Sequence, residues 1–291
     1  MTKPVVMLTR RWPEEVETRL FKHFDVVLNK DDIPLTQHDL KGAFRSYDAV
    51  FSTVTDRIDD SVLSGANLRA RLIGNFGVGF NNIDIKAAKR LGVVVTNTPD
   101  VLTNATADLA LALLLAVARR LGDGERHLRG GNWSGWRPTH MLGREFTGRT
   151  LGIIGYGRIG QATARRAYQG FGMKIKIYSR SLLPSAVLSA NNAEQLPSLD
   201  TLLSSVDFVS LHCPANSENR HMINMDRLRQ MKSTAFLVNT ARGSLVNEKD
   251  LVAALDAGVI AGAGLDVFEA EPRVNPGLIE RPDVVLLPHL G

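Results

Sequence analysis

Short apolar runs, many of them β-branched, alternate along this chain with segments that carry helix signals. That alternation constrains the fold more than any other feature. A first set of runs comprises Val5 to Thr9, Val26 to Leu28, Ala49 to Phe51, Leu72 to Ile73 and Val93 to Thr96. A second set comprises Leu151 to Ile154, Lys174 to Tyr178, Phe208 to His212, Ala235 to Asn239, Gly264 to Val267 and Val284 to Leu287. Runs that are apolar along their whole length suit strands buried on both faces. Between two of them, Asn247 can cap a helix that has Asp250 in its first turn and ends at Gly258. The pattern predicts an α/β protein with parallel sheets.

The 291 residues fit two domains, at about 100 to 200 residues each. The boundary is expected near Thr98-Pro99. A long helix should follow, from Thr103 to about Leu121, with Ala and Leu on most of its sides. A helix that apolar must be buried on several faces, as a core helix, between domains or in a subunit interface. Residues 122–150 read as a Gly- and Trp-rich connection.

Composition excludes several function classes. The single cysteine, Cys213, leaves no internal disulfide and no four-cysteine metal site, and a reducing compartment fits best. Beside Pro214, it reads as a small buried residue more than as a reactive thiol. His140, His212 and His221 have no metal-ligand spacing, so no metal is expected. Apolar residues at 44% and charged residues at 22% are ordinary for a soluble globular chain and argue against overall disorder. The 35 basic and 30 acidic residues leave a net charge of +5. That suits anionic ligands, but pairs such as Arg10-Arg11, Arg119-Arg120 and Arg165-Arg166 are scattered rather than striped, so no nucleic acid is expected. The longest apolar run, Leu109 to Ala118, falls short of the roughly 20 residues of a membrane span. The N-terminal run meets Arg10 and Arg11 too soon for a signal peptide. A cytoplasmic protein with no membrane partner is expected.

The clearest motif is Gly155-Tyr156-Gly157-Arg158-Ile159-Gly160. Alone, GxGxxG is weak. Here it follows the run Thr150 to Ile154, opens a helix with Ala162, Ala164 and Ala167, and is followed by another strand. That context is what a dinucleotide-binding loop requires. Gly155 allows the tight turn, Gly157 lets backbone N–H groups approach a pyrophosphate, and Gly160 lets helix and strand pack closely. The helix N-terminus adds partial positive charge and free donors. The next strand ends Tyr178-Ser179-Arg180-Ser181, without the acid that usually binds the ribose 2′-hydroxyl of NAD. Arg180 can pair with a 2′-phosphate, and Ser179 and Ser181 can donate to it. NADP(H) is therefore expected over NAD(H), with NAD(H) still possible.

Three segments at expected strand ends carry reactive side chains: Val238 to Gly243, Leu265 to Pro272, and Leu287 to Gly291. In open parallel sheets, ligands bind beyond the carboxyl ends of strands. Arg242 can bind a carboxylate through two parallel hydrogen bonds. His289 can carry a proton near neutral pH. A neighbouring carboxylate, Glu271 or Glu269, would orient its ring.

With these segments in view, the sequence resembles the D-isomer-specific 2-hydroxyacid dehydrogenases, most closely their glyoxylate/hydroxypyruvate reductase branch. The resemblance covers nearly the whole chain. It includes Gly74 to Asp84, Val94 to Pro99, Val101 to Ala110, Asn132 to Pro138, the glycine loop and the three segments above. It implies two Rossmann-like domains, one flavodoxin-like and one dinucleotide-binding, with the active site in the cleft between them. Residues 1–98 with 288–291 would form the substrate domain and 99–287 the cofactor domain. By resemblance, Arg242 binds the substrate carboxylate and carbonyl, and His289 protonates the carbonyl oxygen while NADPH delivers hydride. Glu271, which precedes Pro272 as in the family's motif, holds His289 protonated and oriented. Val78 and Gly79 offer backbone N–H groups, and the Ser52-Thr53-Val54-Thr55 loop closes the pocket. Thr106, Pro214, Thr240 and Asp266 line the cofactor. Trp136 resembles a residue that reaches the neighbouring subunit's site, and a homodimer is implied. Family members continue for a further helix past the His-Leu-Gly stretch. This sequence stops at Gly291, so the resemblance implies a first domain without its closing helix and leaves activity of the 291-residue form open.

The expected function is NADPH-dependent reduction of glyoxylate, hydroxypyruvate or a similar small 2-oxo acid to the D-2-hydroxy acid. Alternatives are the same chemistry on phosphoglycerate or a sugar acid, and a nucleotide-sensing scaffold like the co-repressors that resemble this family. No Tyr-x-x-x-Lys occurs, which argues against a short-chain dehydrogenase.

Overall fold

A computed structural model describes residues 3–65 and 67–291, so residues 1, 2 and 66 of the expected first domain lie outside the described residues. The chain divides into two compact units, one ending at Val101 and the other running from Leu102 to Gly291. Each is built on one parallel sheet. The first unit contains β1 (Val5–Leu8), β2 (Asp25–Leu28), β3 (Ala49–Thr53), β4 (Leu72–Phe76) and β5 (Val94–Thr96), in the spatial order β2-β1-β3-β4-β5. That order is the flavodoxin-like one. Its core gathers Leu40, Phe44, Val50, Ile58, Leu63 and Ile73.

The second unit contains β6 (Thr150–Ile154), β7 (Lys174–Tyr178), β8 (Ala193–Gln195), β9 (Phe208–Leu211), β10 (Phe236–Asn239), β11 (Gly262–Leu265) and β12 (Val284–Leu286). Their order is β12-β11-β10-β9-β6-β7-β8, every neighbouring pair parallel. This is the doubly wound dinucleotide-binding arrangement extended by one strand, with the strand order reversing between β6 and β9. Strands β9, β10 and β11 are buried at every residue, which is why their sequences are largely apolar, with Ser210 and Asn239 the polar exceptions.

Helix Glu248–Asp256 begins as expected. The Asn247 side chain accepts from the N–H groups of Lys249 and Asp250, and Gly258 follows in the left-handed region. Helix Thr103–Ala118 packs on β10, β11 and β12 and on helix Arg158–Phe171, so its all-round apolar character serves the core of the second unit.

Three expectations differ from what is observed. The long helix stops at Ala118, Arg120 turns left-handed, and a separate helix, Leu121–Arg129, occupies the start of the stretch read as a connection. Its exposed Leu121 and Leu128 give no buried stripe to detect, and Gly122 and Gly124 disguise it. The edge strand β8 is three residues long and carries Glu194 and Gln195, so it lacks an apolar run. Residues 288–291 group with the second unit rather than the first, because Asp266 of that unit holds them. Among the described residues, no helix is long and apolar enough to cross a membrane.

Candidate active site

The glycine loop lies at the reversal of strand order. Gly155 follows β6 with φ of +91°, and a Cβ there would stand 2.6 Å from the backbone nitrogen of Cys213. Only glycine serves both the turn and that approach. A Cβ on Gly160 would meet the Gly155 carbonyl oxygen at 2.3 Å, so the third glycine lets helix Arg158–Phe171 seat against the loop. Gly157 caps that helix, its Cβ position facing open space, and makes no side-chain cap hydrogen bond. A helix N-terminus of this kind suits a pyrophosphate. Thr240, just past β10, adds a buried hydroxyl with no partner among the described residues. These features fit a dinucleotide.

The other expected cofactor residues are distributed unevenly. Arg158 and Ile159 open the helix, and the Tyr156 ring turns into the core, where its hydroxyl accepts from Asn191 Nδ2 at 3.0 Å. Only the Tyr156 backbone is left for a cofactor. Ser179, Arg180 and Ser181 follow β7, with the Arg180 side chain 76% exposed. Pro214 is exposed after β9 and its carbonyl accepts from Asn219 Nδ2. Thr106 is buried beside Gly291.

Asp266 has backbone partners of its own. It is fully buried, and its two carboxylate oxygens accept from the N–H groups of Leu290 and Gly291 at 2.7 and 2.9 Å. Its backbone carbonyl accepts from the His289 N–H at 2.9 Å. A buried carboxylate needs donors, and this segment supplies them. Asp266 thus braces the strand end that carries His289.

Successive strand ends deliver the reactive side chains. The loop after β10 presents Arg242, whose carbonyl accepts from Asn239 Nδ2 at 2.8 Å. The next residue, Gly243, lies against the loop after β11. A Cβ there would fall 1.9 Å from the Phe268 carbonyl carbon. Gly243→Ala is therefore expected to force the two loops apart. The cost should be about 1–3 kcal/mol or more, read as a lower denaturant midpoint.

The Glu271 carboxylate accepts from the Phe268 N–H at 2.9 Å and meets His289 Nδ1 at 2.7 Å. The rival Glu269 is engaged elsewhere. It pairs with His221 and Arg220, its carboxylate accepts from the Glu248 N–H, and its own N–H donates to the Glu248 carboxylate.

Electrostatics separate the groups further. Burial raises the Glu271 carboxyl, but the bond from His289, the Phe268 N–H and the charges of His289 and Arg242 prevail and hold it below its usual range. Glu271 therefore keeps its charge to lower pH than a free glutamate. Burial pulls the Arg242 guanidinium below its usual range, against the nearby Glu271 charge. His212, beside the glycine loop, is driven down to about 4 by burial, so it is neutral at physiological pH and cannot serve as the acid. Burial pushes the Cys213 thiol up to about 11, which keeps it inert.

In the first unit, Gly77, Val78 and Gly79 follow β4. The Val78 and Gly79 carbonyls accept from Asn97 Nδ2 and Asn75 Nδ2, while their own N–H groups have no acceptor among the described residues. Val54 lies alongside, its Cγ1 2.6 Å from where a Gly77 Cβ would stand. Asp56 braces that loop by accepting from the Thr53 N–H at 2.7 Å. Trp136 is 82% exposed and Trp133 is 54% exposed, so neither is a packing anchor within this chain. Among the described residues, no group of three or more His, Cys, Asp or Glu side chains is placed to hold a metal ion.

Residues 111–291 match the family model for the D-isomer specific 2-hydroxyacid dehydrogenase, NAD binding domain. The chain belongs to that family. The second unit is its NAD-binding domain, which accounts for the glycine loop at the strand reversal. Among family relatives, a glyoxylate reductase from Thermococcus onnurineus is 48% identical over 293 residues, covering 99% of this chain and 86% of the relative. A glycerate dehydrogenase from Hyphomicrobium methylovorum is 38% identical over 291 residues, covering 100% of this chain and 90% of the relative. A solved NADPH-dependent glyoxylate/hydroxypyruvate reductase from Sinorhizobium meliloti, in complex with NADP and malonate, superposes with a TM-score of 0.87 at 34% identity. That match covers 99% of this chain and 86% of the other. Within the family, the chain groups with the glyoxylate/hydroxypyruvate reductase branch.

Sequence reasoning missed one charged neighbour of the cofactor loop. Glu218, on the turn after β9, forms an ion pair with Arg180. The sequence carries no signal for it, because 38 positions separate the two and only the parallel pairing of β6 with β7 and β9 brings their loops together.

Proposed function

We propose that this protein is an NADPH-preferring reductase of small 2-oxo acids, with glyoxylate and hydroxypyruvate as substrates and the D-2-hydroxy acid as product. The observation that carries this reading is the His289–Glu271 pair at 2.7 Å, on the ends of the two strands that follow the Arg242 strand in the same sheet as the glycine loop. The similarity to a glyoxylate reductase and a glycerate dehydrogenase supports the substrate class.

When bound, a reduced nicotinamide supplies hydride to C2 of the substrate. The protein's own residues do the rest. Arg242 binds the substrate carboxylate and steadies the carbonyl. Its partial burial strengthens such a contact by removing competing water. His289 donates a proton to the carbonyl oxygen as it gains negative charge. Glu271 fixes the ring through Nδ1, which leaves Nε2 as the donating atom. Asp266 holds the His289 backbone. Val78 and Gly79 offer their N–H groups to the substrate carboxylate, Val54 sits beside them, and Trp136 reaches the site of a second copy in a homodimer. The helix N-terminus at Gly157 to Gly160 and the Thr240 hydroxyl hold the dinucleotide, with Thr106 and Pro214 lining it. Soluble expression in the cytoplasm belongs to the same reading.

Cofactor choice rests on Arg180, because no acid closes β7. Ser179 and Ser181 are the companion donors. Arg180→Ala is expected to weaken NADPH binding by about tenfold and leave NADH binding unchanged, at about 1.5 kcal/mol for a charged hydrogen bond. Fluorescence titration with both cofactors checks this, and an equal loss for both would contradict it. A panel of 2-oxo acids assayed with NADPH and with NADH tests the whole reading. Turnover of glyoxylate with NADPH supports it, and cofactor binding with no turnover of any 2-oxo acid favours the scaffold alternative.

A further inference from the structure

Arg180 and Glu218 face each other from two loops that are each braced. Arg180 Nη1 lies 3.5 Å from Glu218 Oε2, with the side chains 76% and 77% exposed. Under Arg180, the Gln195 side chain donates to the Ser181 carbonyl at 2.9 Å and accepts from the Leu183 N–H at 3.0 Å. Under Glu218, the Asn216 side chain accepts from the Glu218 N–H at 2.9 Å, and Asn219 Nδ2 donates to the Pro214 carbonyl at 2.7 Å. Both charges therefore stand on folded backbone. They also stand near the glycine loop, since Gly155 abuts Cys213 and the Arg180 charge is felt at the Cys213 thiol.

We propose that Glu218 is a specificity residue: it competes with a nucleotide 2′-phosphate for Arg180 and so holds the NADPH preference low enough for NADH to be accepted. This rests on the reading of Arg180 as the 2′-phosphate partner. A phosphate monoester carries about −1.5 to −2 charges at neutral pH. To reach the guanidinium it must displace the Glu218 carboxylate and then lie beside it. The uncharged 2′-hydroxyl of NADH meets neither cost. An exposed ion pair is worth about 0.2–1 kcal/mol, so the competition amounts to about 1.4- to fivefold in affinity. It should fade as salt screens both charges.

The test is calorimetric binding of adenosine 2′,5′-bisphosphate and of AMP to the full chain at low ionic strength. The proteins compared are wild type, Glu218→Gln, Arg180→Ala and the double variant. Glu218 is exposed, so its replacement leaves the fold intact. Glu218→Gln is expected to tighten the bisphosphate by about 1.4- to fivefold and leave AMP unchanged, with a smaller gain in the Arg180→Ala background. If Arg180→Ala weakens the bisphosphate but Glu218→Gln does not tighten it, the Glu218 proposal is overturned while the Arg180 reading stands. If Arg180→Ala leaves the bisphosphate unaffected, both are overturned. Equal tightening of bisphosphate and AMP also overturns the proposal, since it would mark a general charge effect.

Discussion

Replacing His289 by Asn is expected to lower kcat by about 10²–10⁴-fold, the usual contribution of a positioned general acid. Asn cannot deliver a proton, but it can still accept or donate a hydrogen bond at the same place. The backbone of position 289 is held by the Asp266 carbonyl and needs no imidazole. The left-handed conformation at this position, φ of +55°, is one that Asn tolerates well. The variant should therefore fold and bind NADPH as wild type does. Single-turnover kinetics and a cofactor titration check both halves. A kcat within a few-fold of wild type would remove His289 from the chemistry.

Replacing Arg242 by Gln is expected to act on the substrate rather than the cofactor. Losing one charged hydrogen bond costs about 1.5–3 kcal/mol, a fall in kcat/KM of about 10- to 150-fold. KM for the 2-oxo acid should rise, and kcat should fall with it if Arg242 also steadies the carbonyl. Lysine should restore little, because a point charge cannot reproduce two parallel bonds. Steady-state kinetics with glyoxylate at saturating NADPH check the split. An unchanged KM would assign carboxylate binding to another residue.

The fold was legible where burial dictates composition. The apolar runs that became β9, β10 and β11 lie in the middle of a sheet covered on both sides. The edge strand β8 was not legible, because an edge needs no apolar sequence. Helix Leu121–Arg129 was hidden for a related reason, since it buries none of its residues. At the candidate site, local spacing revealed the glycine loop and the three strand-end segments. What it could not reveal was partner choice between loops. Glu269 and Glu271 are two residues apart in one segment, and only the folded loop directs one to His221 and the other to His289. Nor did spacing show that the Asp266 carboxylate accepts from the backbone of Leu290 and Gly291. Glu218 reads as an ordinary surface acid until β7 and β9 are seen to flank β6.

In the proposed function, Arg242, Glu271 and His289 form the acid and carboxylate-binding centre of a D-specific 2-oxo acid reductase. The most direct measurement is the product formed from hydroxypyruvate and NADPH by the purified protein, followed by cofactor oxidation and chiral analysis. D-glycerate is expected in stoichiometric amount with NADPH consumed, formed about 10²–10⁴-fold more slowly by His289→Asn. L-glycerate, or cofactor oxidation that His289→Asn leaves intact, would contradict it.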